Sequence, residues 1–387
     1  MLQSWWRAEH LRVQPGPSSP SSTKPSGAWL PLDTVTDPAT RHLNFYDAEI
    51  LALAEHRRRQ RSWGGIVKED RLLRSLLSSQ PACFNLFGVL TRHPDVLLAW
   101  VQSLGIDAVA IEPTEPDDPA LVRIEYAPPK DQHLGSGSAF DACITYRDST
   151  GRRGVVAVET KYAENLADQK VTTGPKYAAA TADLGHWKDT AIQVLDQPVP
   201  VQCWQNLLLV QKAVALGTHG WERGTFVMTS DGHDLSALRA TATLWGQLHE
   251  PESWVRWSPY QAIVEVARAH PETQAWADWF TTRYLDLAPI QDHLLDDPNR
   301  APHPVSGTGD PWATDAFRSA ASLATTYAQR ALGTDSIVEN LIDADLGRAP
   351  TLALLANASH LQDLIEPLRE ARENIQPITA VIEGTER

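Results

Sequence analysis

"SAFDACITYRDSTGRRGVVAVETKYAENL" occupies Ser138–Leu166 and is typical of two β-strands joined by a short glycine-containing turn. The second strand contains the continuous apolar run 155–158, which indicates burial on both faces. Charged residues stand at the ends of these strands: Asp141 opens the first, and Glu159 and Lys161 close the second. Because residues two apart in a strand point to the same face, Glu159 and Lys161 project together.

Pairing of these strands as a hairpin would place Asp141 and Glu159 at matching ends of neighbouring strands. A strand spacing of roughly 5 Å lets two carboxylates share one divalent cation, and Mg²⁺ accepts one or two carboxylates together with water and phosphate oxygens. Lys161 could then hold the attacking water or neutralise charge that develops on phosphorus. The ordinary alternative is that charges surface at strand ends and that the Glu-x-Lys spacing arises by chance.

The surrounding pattern predicts an α/β fold. Further strands are expected at 120–128 and 224–230, with helices at 45–61, 79–90 and 187–216. The helix at 79–90 is apolar on most sides, and its polar exceptions are Gln80 and Asn85. A buried amide needs hydrogen-bond partners, so both are either functional residues or satisfied core amides.

At this point the chain resembles the PD-(D/E)XK nuclease superfamily. The resemblance rests on Asp141 followed by Glu159-Thr160-Lys161 within helix–strand–strand–strand–helix–strand, and it covers roughly residues 65–230. The stretch "LLSSQPACFNLFGVL" (76–90) is also similar to a helix of bacterial proteins described as restriction endonucleases. The resemblance implies a restriction-endonuclease-like core, a central mixed sheet flanked by helices, with helical additions at both ends. It also implies a Mg²⁺-dependent phosphodiesterase in which Mn²⁺ can substitute.

The resemblance assigns roles to individual residues. It implies metal ligation by the Asp141 and Glu159 carboxylates and the Thr160 carbonyl, with Lys161 as the catalytic lysine. Phe140 stands where the motif has proline. Many members carry a further acid on the first helix, and Gln169 resembles a polar position found after the lysine in some branches. The accessory candidates are therefore Glu69, Gln80, Asn85 and Gln169.

Composition suggests three regions. Residues 12–30 are rich in Pro, Ser and Gly, which predicts a flexible N-terminal segment at 1–44, of which 1 to about 35 is poorly ordered or packs only peripherally. Residues 45–300 would form the nuclease-like domain, and amphipathic patterns predict a helical region at 311–387. Three widely spaced cysteines, the lack of a secretory signal and the lack of a long apolar run favour a cytoplasmic protein without membrane contact.

The net charge of −14 argues against a protein that coats nucleic acid. Residues 191–387 carry 13 basic and 25 acidic residues, whereas the rest of the chain, with 21 and 23, is nearly balanced. The charge count therefore does not exclude a local basic groove in the first half of the chain. The acidic excess of residues 191–387 favours a protein partner or a homo-oligomer. Weak candidates for phosphate contact are Arg57, Arg58, Arg71 and Arg74, and Trp63 and Trp187 are weak candidates for base stacking.

Three interpretations follow. The leading one is a metal-dependent DNA endonuclease of a restriction or defence system. The alternative is a catalytically silent nuclease-like module that docks nucleic acid or protein. The third is an unrelated α/β protein in which Asp141 and the Glu-x-Lys tripeptide occur by chance.

Overall fold

A computed structural model describes residues 2–290, except 20, 23, 61, 131, 136, 164, 165, 167–173, 198, 199 and 233. It contains six strands, which are β1 (Ala108–Glu112), β2 (Val122–Tyr126), β3 (Phe140–Asp148), β4 (Arg153–Thr160), β5 (Trp221–Ser230) and β6 (Val255–Pro259). The predicted helical region at 311–387, the end of the predicted 45–300 domain and Gln169 lie outside the described residues.

The helices before the hairpin are α1 (Leu2–Trp6), α2 (Ala48–Arg59), α3 (Glu69–Arg74), α4 (Ser79–Leu90) and α5 (Pro94–Ser103). Those after it are α6 (Pro175–Leu184), α7 (Ala191–Leu195), α8 (Val201–Ala215), α9 (Leu235–Gly246), α10 (Pro251–Trp254), α11 (Tyr260–Arg268) and α12 (Gln274–Phe280). Side chains cap the N-termini of two of these helices. The Asp47 carboxylate accepts from the Ile50 N–H at α2, and the Ser78 hydroxyl accepts from the Gln80 N–H at α4.

The six strands form one mixed sheet in the order β1-β3-β4-β5-β6, and β2 also pairs with β3. The pairs β1–β3, β2–β3 and β3–β4 are antiparallel, whereas β4–β5 and β5–β6 are parallel. Each parallel step carries helices in its connection, as a crossover requires. This arrangement confirms the predicted α/β core with a central mixed sheet flanked by helices.

Two hydrophobic cores lie on opposite faces of the sheet, and β4 contributes to both. Val155 and Ala157 pack on one face with α8, while Val156 and Val158 pack on the other with α4 and α5. Burial of this run on both faces, as its composition predicts, puts β4 at the centre of the sheet. The strand therefore holds its terminal residues, Glu159 and Thr160, in a fixed position.

The N-terminal residues pack more deeply than their composition predicts. Leu2, Gln3 and Trp6 are buried, and the Gln3 amide donates to the Tyr162 hydroxyl and the Arg283 carbonyl, each at 2.6 Å. Leu30, farther along, is fully buried. The expectation of merely peripheral packing is wrong for these residues, because a few large apolar side chains dock a segment that is otherwise rich in Pro and Ser. The domain limits 1–44, 45–300 and 311–387 stay predictions.

We expect Trp6→Ala to lower the free energy of unfolding by about 3 kcal/mol, since it empties a buried aromatic site. Trp6 is 4% exposed and its ring stacks on His10 at 4.1 Å between centroids. Urea unfolding of the purified protein measures the change. Trp5→Ala is the matched control, because Trp5 is only half-buried and its removal should cost less. Equal losses for the two variants would contradict the docking of α1.

Within the described part of the chain, every helix is too short or too polar to span a lipid bilayer.

Candidate active site

The strand register brings the predicted carboxylates together. Ala142 pairs with Val158, so one step toward the strand ends places Asp141 beside Glu159. The Thr160 N–H donates to Asp141 Oδ2 at 2.7 Å, which fixes the Asp141 side chain against the end of β4. Asp141, Glu159 and Lys161 therefore meet at one end of the sheet, as the hairpin pattern predicts, while their catalytic roles stay a prediction.

Glu159 and Lys161 form a buried ion pair. Lys161 Nζ lies 2.7 Å from Glu159 Oε1, and the two residues are only 4% and 2% exposed, respectively. Helix α8 adds two amides: Gln202 Nε2 donates to Glu159 Oε1 at 2.8 Å, and Asn206 Nδ2 donates to Glu159 Oε2 at 2.6 Å. Gln202 Oε1 also accepts from Lys161 Nζ at 2.9 Å. Together these contacts hold both charged groups in one orientation.

Lys161 remains a cation in this environment. Burial alone would lower the pKa of its ammonium, but Glu159 and Asp141 beside it hold that pKa above its ordinary value. The Tyr260 hydroxyl donates to the Lys161 carbonyl at 2.8 Å, and the Lys161 N–H donates to the Thr229 carbonyl at 2.8 Å, so the backbone is fixed as well. A permanently charged group suits charge stabilisation rather than removal of a proton.

A third carboxylate, Glu125 on β2, completes the acidic group. Extension of the β2–β3 register, in which Ile124 pairs with Ala142, places Glu125 opposite Asp141. Burial raises the pKa of the Asp141 carboxyl well above its usual range, and the charges of Glu159 and Glu125 raise it further. The three carboxylates thus repel one another in a site that a cation would stabilise.

The backbone at Glu125 is strained, and its surroundings hold it in place. Its φ is +58°, a left-handed value that is uncommon for a residue with a side chain. Gly65 approaches so closely that a Cβ there would lie 2.0 Å from the Glu125 carbonyl oxygen, which also accepts from the Arg57 guanidinium. Val122 and Ile124 pack in one core with α4, whereas Tyr126, which a regular strand would put on the same face, packs in the other core. Strained backbone of this kind often marks a functional position.

The Glu125 carboxyl should make stability pH-dependent. Burial raises its pKa to about 7 and Glu159 adds to the rise, although a hydrogen bond from Gln80 and the charge of Arg57 oppose it. An unfolded glutamate titrates near pH 4.3, so between about pH 4.5 and 7 the folded chain holds a proton that the unfolded chain has lost. Stability contributed by this proton falls as pH rises through that window and is absent above it.

Glu125→Gln keeps an acceptor for Gln80 and removes the titration. We expect the free energy of unfolding of the variant, without added metal, to fall about 2 kcal/mol less than that of the parent between pH 5 and pH 8. Urea unfolding at both pH values measures this, and Glu252→Gln, at an exposed position, is the control. If the free energy of unfolding falls equally in the parent and in Glu125→Gln, the pKa of Glu125 is not raised.

The accessory candidates separate into different roles. Gln80 Nε2 donates to Glu125 Oε1 at 2.6 Å, so Gln80 belongs to the site through that carboxylate. Asn85 is a satisfied core amide, because its oxygen accepts from the Tyr46 N–H and its nitrogen donates to the Asn44 carbonyl and the Tyr284 hydroxyl. These bonds favour the interpretation of Asn85 as a satisfied core amide over that of a functional residue.

Glu69, the accessory acid predicted before the sheet, forms ion pairs with Arg41 and Arg58 at 3.3 Å and 3.2 Å, so neighbouring arginines neutralise its charge. Its accessory role stays a prediction. Glu125 on β2, which accepts from Gln80 on α4, is the further carboxylate that the structure places beside Asp141. Gln169 lies outside the described residues.

Two of the four arginines predicted to contact phosphate are buried. Arg57 is 2% exposed and donates to the Ile124 and Glu125 carbonyls, and Arg74 is fully buried and donates to the Leu30 and Pro31 carbonyls. These guanidinium groups are taken up by backbone carbonyls of other segments, so they do not face the solvent. Arg58 pairs with Glu69, and Arg71 donates to the Ser78 hydroxyl at 2.8 Å.

Trp63 lines a cavity of about 850 Å³ whose wall includes Tyr126 and Ala127, the residues directly after Glu125. Two guanidinium groups, those of Arg57 and Arg123, lie 5.5 and 5.1 Å from the centroid of its ring. Base stacking by Trp63 stays a prediction. Trp187 is buried, and its indole donates to Gln211, so the prediction of stacking is wrong for that residue.

Sequence reasoning missed Glu125, Gln202 and Asn206 as members of the site. The signal for the two amides was present, since they stand four residues apart on α8 and therefore share one helix face. Glu125 gave a weaker signal, because the sequence predicted only a strand at 120–128 and not its pairing with the strand of Asp141. That pairing, which places Glu125 opposite Asp141, is a tertiary contact.

A separate cluster lies near the ends of α5 and α11. His270 Nδ1 is 3.6 Å from Asp95 Oδ2 and 3.8 Å from Glu272 Oε1, and suitable ligand atoms of all three lie within 4.8 Å of one another. These side chains are largely exposed, and exposed acidic groups often cluster without an ion. We assign no metal to them.

The strand-end group, Asp141, Glu159 and Glu125, offers hard oxygen donors, although within the described residues its ligand atoms do not all lie within 4.8 Å of one another. Its donors are the carboxylate oxygens of Asp141, Glu159 and Glu125, which are the ligands that Mg²⁺ and Mn²⁺ prefer. The raised pKa values of Asp141 and Glu125 reflect burial and mutual repulsion, which a divalent cation would relieve. Participation of the Thr160 carbonyl stays a prediction.

Comparison with known proteins gives one match. The family model of the PD-(D/E)XK nuclease superfamily matches residues 1–286, which include all six strands and every residue of the strand-end group. The match is wider than the resemblance at 65–230, and it includes the N-terminal residues that pack on the core. Neither a curated protein nor a solved structure matches the chain.

Proposed function

Because the chain belongs to the PD-(D/E)XK nuclease superfamily, we propose that it is a Mg²⁺-dependent DNA endonuclease of a restriction or defence system. The reaction is hydrolysis of a phosphodiester bond. One observation carries the proposal: Asp141, Glu159 and Lys161, which the sequence separates, lie together at the end of two central strands with Glu125 beside them.

The side chains divide the work by charge. The carboxylates of Asp141 and Glu159 would hold Mg²⁺, with Glu125 as a third oxygen donor; when bound, the ion polarises a phosphoryl oxygen and acidifies water. Lys161 carries a fixed positive charge 2.7 Å from Glu159 and would stabilise negative charge that develops on the phosphate. Gln202 and Asn206 keep Glu159 and Lys161 oriented, so little reorganisation is needed during the reaction.

Phosphate must be drawn to this site despite the net charge of −14. The excess of acidic residues belongs to 191–387, and the strand-end group gains positive charge when a divalent cation binds. The substrate would therefore meet a locally favourable site on a chain that does not coat nucleic acid. Specificity for DNA, rather than RNA, is part of the proposal and is tested with both substrates.

A plasmid nicking assay tests the function. Supercoiled plasmid and a structured RNA are incubated with purified protein in Mg²⁺, in Mn²⁺ and in EDTA. We expect plasmid cleavage with either ion and none in EDTA. Cleavage of RNA but not of plasmid would show that the substrate is RNA rather than DNA. Cleavage in EDTA would show that the reaction does not need a divalent cation.

A silent docking module is the competing function. An intact set of Asp141, Glu159 and Lys161, held by amides in a reactive orientation, favours an enzyme, since a binding module has no need of these contacts. Binding of DNA without cleavage under every ionic condition would support the docking function instead.

A further inference from the structure

Glu159 has an unequal supply of free lone pairs on its two oxygens. Oε1 receives two hydrogen bonds, from Lys161 Nζ at 2.7 Å and from Gln202 Nε2 at 2.8 Å. Oε2 receives one, from Asn206 Nδ2 at 2.6 Å. A carboxylate oxygen has about two lone pairs. Oε1 is therefore saturated, and Oε2 keeps one lone pair for a further partner.

We propose that Gln202 is a positioning residue that makes Glu159 a monodentate metal ligand through Oε2 and so favours Mg²⁺ over Ca²⁺ at this site. The inference rests on the proposed function, which places a divalent cation beside Glu159. It goes further by assigning the choice of oxygen, and with it the choice of ion, to an amide on α8. Gln202 is not itself a ligand or a catalytic residue.

Ion choice follows from the number of carboxylate oxygens that are free. Mg²⁺ requires near-octahedral geometry and keeps several waters, so a single oxygen from Glu159 suits it. Ca²⁺ takes six to eight oxygen ligands and commonly uses both oxygens of one carboxylate. Bidentate binding to Glu159 would displace either Lys161 or Gln202 from Oε1. The saturated oxygen thus lowers the affinity for Ca²⁺ relative to Mg²⁺.

Substitution of Gln202 should change the relative affinity for Ca²⁺ and Mg²⁺, whereas substitution of the neighbouring Asn206 should not, and this difference makes the test specific. Gln202→Met removes a donor from Oε1 and frees a lone pair there, so bidentate binding becomes available. Asn206→Leu removes the donor from Oε2, which already has a free lone pair, while Oε1 stays saturated. The matched control is Gln211→Met, the same change at a buried position of the same helix, where the amide oxygen accepts from the Trp187 indole.

Isothermal titration of each purified variant with Mg²⁺ and with Ca²⁺ measures the ratio of the two dissociation constants. We expect Gln202→Met to shift that ratio about tenfold in favour of Ca²⁺, because one more carboxylate oxygen becomes available. Asn206→Leu and Gln211→Met should leave the ratio within about twofold of the parent, since neither frees Oε1. An unchanged ratio in Gln202→Met, or an equal shift in Asn206→Leu, would overturn the inference.

A measurement on the parent covers the case in which Gln202→Met fails to fold. Infrared difference spectra upon addition of Mg²⁺, with Glu159→Gln to identify the band, separate monodentate from bidentate carboxylates by the splitting of their stretching frequencies. A monodentate Glu159 supports the inference, and a bidentate one overturns it. If the parent cuts plasmid but its Glu159 is bidentate, only this inference fails; if the parent neither binds a divalent ion nor cuts, the proposed function fails with it.

Discussion

Lys161→Met should lower the rate of Mg²⁺-dependent plasmid cleavage about a thousandfold while leaving the affinity for Mg²⁺ nearly unchanged. The ammonium lies against Glu159, and neighbouring carboxylates keep it charged, so its contribution is a fixed positive charge near the reacting phosphate. Methionine fills the same volume without that charge. Single-turnover cleavage measures the rate, and calorimetry measures metal binding.

The split between the two measurements is the informative result. If Lys161 merely supported the fold, Lys161→Met would weaken metal binding and cleavage together. Lys212→Met, on the half-buried part of the last turn of α8, controls for loss of a lysine. Cleavage by Lys161→Met at the parental rate would exclude Lys161 from the reaction.

The central part of the fold could be predicted because its signals are local. The run 155–158 reports burial on both faces, and a hairpin of two strands fixes which residues end side by side. These features place Asp141, Glu159 and Lys161 together without knowledge of the rest of the chain. The edge strands β1 and β6 escaped prediction, since β1 is short and does not alternate and β6 contains Arg256 and Pro259.

The parts of the site that could not be predicted depend on tertiary contacts. Glu125 enters it through the pairing of β2 with β3, and Gly65 and Arg57 from another segment contact its left-handed backbone. Arg74 was a candidate for phosphate contact because the sequence does not reveal that its guanidinium donates to the carbonyls of Leu30 and Pro31. In both cases a distant segment decides whether a polar side chain is structural, functional or exposed.

Substitution of either predicted metal ligand, Asp141 or Glu159, should reduce cleavage, but the two substitutions should change the free energy of unfolding in opposite directions. Asp141→Asn and Glu159→Gln should each reduce cleavage by at least about a thousandfold, because each removes a charged ligand. Asp141→Asn should raise the free energy of unfolding of the metal-free protein by about 1 kcal/mol, since Asp141 is repelled by Glu159 and Glu125. In the parent the Thr160 N–H donates to the Asp141 carboxylate, and the asparagine side chain still offers an oxygen to that donor.

Glu159→Gln should lower the free energy of unfolding by about 3 kcal/mol, because it leaves the buried Lys161 ammonium without its paired charge. Urea unfolding in EDTA at pH 8 measures both changes. The double variant Glu159→Gln/Lys161→Met removes both charges of the pair and should recover part of the loss, since no unpaired buried cation remains. Equal stability changes in the two single variants would mean that repulsion among the carboxylates and the Glu159–Lys161 attraction do not control this end of the sheet.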